Sequence, residues 1–68
     1  MSIEIVVNGA PESVPEGSTI AYLIERFEEG DKHLVVERNG RCVFPREWAG
    51  LAVSPGDRIE FIHAAFGG

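Results

Sequence analysis

The sequence predicts an α+β domain in which one amphipathic helix covers one face of a mixed sheet of four to five strands. Three observations predict it. Short apolar segments rich in β-branched residues flank two Asn-Gly pairs, Asn8-Gly9 and Asn39-Gly40, and Asn-Gly is a strong hairpin signal. Ile20, Leu23, Ile24 and Phe27 recur at i, i+3, i+4 and i+7, the spacing of one helical face. Pro15, Gly17, Pro55 and Gly56 punctuate the chain between these segments. At 68 residues there is room for one domain. Such a chain buries about 60% of its unfolded surface, so its core must be efficient.

The elements follow in order. Ile3, Ile5 and Val7 alternate with Glu4 in a half-buried strand that closes at Asn8-Gly9. Pro11 in or beside that turn leaves room for a loop longer than two residues, and Glu12 to Val14 form a short return strand ended by Pro15. Ser18 or Thr19 caps the helix, since a hydroxyl there accepts a hydrogen bond from a free helical amide. Glu25, Arg26, Glu28 and Glu29 fall largely off the apolar stripe, and Gly30 suits a left-handed cap that stops the helix. His33 to Arg38 and Arg41 to Phe44 form the second hairpin. Pro45-Arg46-Glu47-Trp48 starts a single helical turn, because proline is tolerated at the first helical position. Ser54-Pro55-Gly56-Asp57 matches a type II turn. The last strand, Arg58 to His63, places Ile59, Phe61 and His63 on one face. This is the element order of a ubiquitin-like β-grasp domain. Residues 1–63 make that domain and residues 64–68 an exposed, mobile tail. Pairing the last strand beside the first makes it central and lets the tail project from the sheet.

Composition removes several classes of function. The net charge is −5, with acidic residues spread from Glu4 to Glu60, which argues against nucleic acid and fits solubility or a basic partner enzyme. Cys42 is the only cysteine, so there is no disulfide framework and no cysteine-built cluster. His33 and His63 alone make a poor metal set. No apolar run reaches membrane-spanning length and no signal pattern opens the chain, so the expected setting is a reducing cytoplasm. No paired carboxylates, nucleophile–base set or phosphate loop suggests a stand-alone enzyme. Cys42 reads as a small strand residue, Trp48 as a seal on the core, and Arg38, Arg41 and Arg46 as members of surface ion pairs.

The terminal Gly67-Gly68 stands out against this background. With glycine at roughly 7% of residues, such a pair arises by chance in about 0.5% of chains. Glycine enters backbone regions closed to other residues, so an enzyme can thread and bend such a tail and reach its last carbonyl carbon.

The whole chain resembles the small bacterial sulfur carriers of the ThiS/MoaD family. The resemblance rests on Val7-Asn8-Gly9, Ser18-Thr19-Ile20, Leu23-Ile24, Val36-Glu37-Arg38-Asn39-Gly40, Val43-Phe44-Pro45-Arg46, Trp48, Gly56-Asp57-Arg58-Ile59-Glu60 and Gly67-Gly68. It implies that the Gly68 carboxylate is adenylated by an ATP- and Mg-dependent partner, an adenylyltransferase of the ThiF/MoeB type. Sulfur from a cysteine desulfurase then yields a thiocarboxylate for a thiazole synthase (ThiG-like) or another acceptor. The carrier is then a protein cosubstrate that binds no cofactor of its own. Gly68 is its working residue, Gly67 gives access, and Ala64, Ala65 and Phe66 guide the tail. The thiazole of thiamine is the leading destination, with molybdopterin and sulfur amino-acid synthesis as alternatives, because Phe66 is bulky where many relatives have small or β-branched residues. The remaining alternatives are a ubiquitin-like protein modifier and a non-covalent interaction module.

Overall fold

Eleven apolar side chains form the core of the computed structural model, which describes residues 1–27, 29–30 and 32–63. Strands β1 (Ser2–Val7), β2 (Ala10–Pro15), β3 (Leu34–Arg38), β4 (Arg41–Val43) and β5 (Arg58–His63) make one sheet in the order β2-β1-β5-β3-β4. β5 lies centrally, parallel to β1 and antiparallel to β3, as the expected β-grasp requires. Strand alternation sends Ile5 and Val7 of β1, Val14 of β2, Leu34 and Val36 of β3, Val43 of β4, and Ile59 and Phe61 of β5 to the inner face. There they meet Ile20 and Leu23 of the single helix α1 (Ile20–Arg26). Each such aliphatic side chain contributes about 1.5–3 kcal/mol on burial.

Both Asn-Gly turns are two-residue hairpins. Val7 faces Ala10 across the first and Arg38 faces Arg41 across the second. Asn8 and Asn39 lie at φ 49° and 51°, and Gly9 and Gly40 both at 83°, the double positive φ of a type I′ turn. The first loop is therefore no longer than two residues despite Pro11, and the return strand runs from Ala10 to Pro15 rather than from Glu12 to Val14. The reason is parity. In a two-residue hairpin the pair flanking the turn is hydrogen-bonded, so the next pair, Val6 with Pro11, is not, and neither is Ser2 with Pro15 four residues on. Both prolines thus occupy edge positions where the missing N–H costs no ladder bond.

Thr19 caps α1, its Oγ1 accepting from the Tyr22 amide at 3.1 Å, while the Ser18 hydroxyl donates to the Pro15 carbonyl. The amides of Ile20 and Ala21 donate to the carbonyls of Leu51 and Trp48, so the loop after β4 closes the start of the helix. The helix ends at Phe27, short of Gly30. Phe27 leaves the helical region at φ −102°, ψ 9°, its ring packs against the core, and the Glu29 amide donates to the Ile24 carbonyl at 2.9 Å. The helix thus ends where Phe27 packs against the core, and Gly30 takes no positive φ. A 3-10 turn at Pro45–Glu47 follows β4, and half-buried Trp48 donates from Nε1 to the Val43 carbonyl at 2.9 Å as it closes that end of the core. Gly56 at φ 84° and an Asp57 amide to Ser54 carbonyl bond of 3.1 Å complete the turn before β5. Among the described residues no helix is long and apolar enough to cross a membrane.

Candidate functional site

Ala64, Ala65, Phe66, Gly67 and Gly68, the residues to which the sequence assigns the chemistry and the partner contacts, lie outside the described residues. The structure shows the platform they continue from, which is strand β5, and how its two ends are held.

At its start β5 is tied to the second hairpin. The Arg58 amide donates to Asn39 Oδ1 at 2.8 Å, and the Asn39 amide returns a bond to the Arg58 carbonyl at 2.8 Å. Asp57, 7% exposed, gathers three donors: Arg38 Nε at 2.8 Å, Asn39 Nδ2 at 3.0 Å and the Ser54 amide at 2.8 Å. Burial works to raise the Asp57 pKa, but these hydrogen bonds and the Arg38 charge outweigh it and hold the carboxyl below its ordinary value. Arg38 is therefore no simple surface ion pair, because its partner is largely buried. Arg46 lies over the exposed Phe44 ring, 5.1 Å from its centroid. Cys42 is exposed on edge strand β4, opposite Glu37.

Further along, β5 outruns β1. Val7 is opposite Ile59 and closes the β1 ladder, after which the chain turns away at Asn8. Its positive φ leaves the Asn8 side chain beside β5, where Oδ1 accepts from the Phe61 amide at 2.8 Å. Beyond that bond β5 continues its pairing with β3, Val35 opposite Ile62 and Leu34 opposite His63. On the inner-face side the His63 ring meets Glu29, Nε2 to Oε1 at 2.5 Å, from the segment after the helix. On the outer face Val35 and Ile62 are side by side, 37% and 40% exposed. Glu37 and Glu60 follow them as the next opposed pair on that face.

The sequence reading missed three contributors here. Asn8 and Asn39 were read as turn formers, yet each also supplies an acceptor to a β5 amide. The signal was present in the choice of asparagine at both turns, where glycine would supply the backbone but no acceptor. Glu29 was read as an off-stripe helical residue, and nothing local marks its contact 34 residues away.

This arrangement, a central last strand that leads to a glycine pair, matches a known group of proteins. The model of the ThiS family matches residues 3–68, a span that includes Gly67 and Gly68. The chain belongs to the ThiS family. The crystal structure of a thiamine biosynthesis protein (ThiS) from Geobacter metallireducens superposes with a TM-score of 0.84 at 26% identity, covering 97% of this chain and all of that one. A comparison with curated proteins gave no match. ThiS-family membership supports a sulfur-carrier role: such small proteins are not catalysts and work with activating and sulfur-accepting enzymes.

Proposed function

We propose that this ThiS-family chain carries sulfur as a thiocarboxylate on Gly68. The observation that supports it most is the family match through residue 68 on a fold whose central strand leads directly into the tail. A main-chain carboxylate is ionised at neutral pH, with an ordinary pKa of about 3.3–3.7, and is a poor acyl electrophile. An adenylyltransferase of the ThiF/MoeB type activates it: a Gly68 oxygen attacks the α-phosphorus of Mg-bound ATP and pyrophosphate leaves. The terminal sulfur of a persulfide supplied by a cysteine desulfurase then attacks the acyl carbon, and AMP leaves. A thiol cleaves the resulting acyl disulfide and frees the thiocarboxylate. Its sulfur is the nucleophile that a ThiG-like thiazole synthase accepts, in the synthesis named by the Geobacter relative. ATP and Mg belong to the partner. Ala64, Ala65, Phe66 and Gly67 are the residues that thread the partner's channel, and the exposed Val35–Ile62 pair beside Glu37 and Glu60 offers it an apolar contact flanked by negative charge. The cytoplasm is where such partners and a reduced Cys42 coexist.

Incubation with activating enzyme, ATP and a persulfide donor, followed by intact mass measurement, tests this reading. One oxygen should be replaced by sulfur at Gly68, and deletion of Gly68 should abolish the product while circular dichroism stays unchanged. Thiolation of the truncated chain would sink the assignment. Reductant-resistant conjugates to lysine would identify a protein modifier, because an amine then takes the same activated acyl group.

A further inference from the structure

We propose that both edges of the sheet are closed to strand addition, so that copies of this chain do not pair through them. Pro11 and Pro15 close the β2 edge, and Glu47 closes the β4 edge. The inference stands apart from the carrier reading. In an antiparallel pair, residues that bond across the pair alternate with residues whose N–H and C=O point away from it. Val7 and Ala10 bond across the first turn, so the outward positions of β2 are Pro11, Ser13 and Pro15. Proline has no N–H to offer, which leaves Ser13 with the only outward amide of that strand. The Pro15 carbonyl is occupied as well, accepting from the hydroxyl and the amide of Ser18. At the other edge Arg38 and Arg41 bond across the second turn, so Cys42 and then Phe44 face outward. Phe44 is already engaged. Its amide donates to Glu47 Oε2 at 3.0 Å, and its carbonyl accepts from the Glu47 amide at 2.8 Å. Cys42 alone keeps its outward backbone groups, and one residue is no ladder.

An edge strand with a row of unpaired N–H and C=O groups is a template for a second chain. β4 is protected in part by its length of three residues, but β2 has six, as many as the central strand β5. Length therefore does not protect β2, and its prolines must. Two copies of β2 related by a two-fold axis would pair antiparallel about Ser13, with Pro11 of each opposite Pro15 of the other. The Ser13–Ser13 pair keeps both of its bonds, and the Pro11–Pro15 pairs keep none. One net hydrogen bond changes an equilibrium by about two- to tenfold. Without the proline pairs, the bonds that remain do not offset the cost of bringing two molecules together.

The test compares self-association of the full chain by sedimentation equilibrium in wild type, Pro11→Thr, Pro15→Thr and the double variant. Threonine suits a strand and restores the outward N–H. The double variant should associate at least about tenfold more tightly than wild type, with each single variant between them. Adding Ser13→Pro to the double variant takes no bond from the β1 ladder and should undo that gain. At the other edge Glu47→Ala frees the Phe44 amide and should tighten association about two- to fivefold. Glu47→Gln keeps an acceptor oxygen and should match wild type. Equal association in wild type and a folded double variant would overturn the closure of the β2 edge. So would a gain that Ser13→Pro leaves intact, or a lowered melting temperature without association, the sign of prolines that only stiffen the strand. Equal association in wild type and Glu47→Ala would overturn the closure of the β4 edge. If the double variant does not fold by circular dichroism, the single proline variants decide by the same comparison.

Discussion

Asp57 shows what a single residue contributes here. Three donors and the Arg38 charge favour its ionised form against the cost of burial, so its pKa in the folded protein lies below the ordinary 3.8. A depressed carboxylate stabilises the fold in full above the unfolded-state value and loses that contribution as pH falls through the folded-state value. Asp57→Asn should therefore cost about 1.5–3 kcal/mol at neutral pH, the range for hydrogen bonds to a charged group. The gap between wild type and variant should close below about pH 4, which urea unfolding at several pH values would read. A gap that persists undiminished in acid would show that shape and not charge is at stake. The sequence offered Gly56-Asp57 as a turn ending, and that was right. It could not offer the buried role, because Arg38 and Asn39 reach Asp57 from 19 and 18 residues away.

The two Asn-Gly hairpins are elements with two tasks, and substitutions separate them. Asn8→Gly keeps the positive φ and deletes the acceptor for the Phe61 amide, so it should cost about 0.5–1.5 kcal/mol. Asn39→Gly should cost more, since Asn39 serves both Arg58 and Asp57. Denaturant midpoints of the two variants would check the order, and equal costs would refute it. Thr19→Ala at the helix cap should cost about 0.5–2 kcal/mol by the same measurement. Elements governed by neighbouring residues were legible: both hairpins, the helix start, the turn before the last strand and that strand itself. The helix end was not: it falls at Phe27, which packs against the core, while Gly30, the local stop signal, takes no positive φ. The Pro11 strand was legible in principle. Pro11 and Pro15 share the alternation that keeps both clear of the ladder, and one hairpin register fixes it for the two together.

For the whole molecule, the sequence reading placed the last strand centrally beside the first, and the sheet order β2-β1-β5-β3-β4 has it there. The candidate site was legible as composition, a glycine pair after a final strand. Its support was not, since Asn8 with Phe61 and Glu29 with His63 are juxtaposed by the sheet from 53 and 34 residues apart. The central place of β5 also bears on how the protein is made. A hairpin can form while later residues are still being synthesised, but β1 and β3 touch through β5 alone, and β5 is the last strand in chain order. A chain that stops within Arg58–His63 leaves two hairpins with no shared strand, and a two-stranded hairpin alone is marginal in water. A chain ending at residue 63 should melt cooperatively near the full-length value, whereas one ending at residue 58 should show no cooperative transition by circular dichroism. The consequence is a link between completeness and folding: chains that end before β5 should stay unfolded and open to proteolysis, and under the proposed carrier reading they would not compete for an activating enzyme.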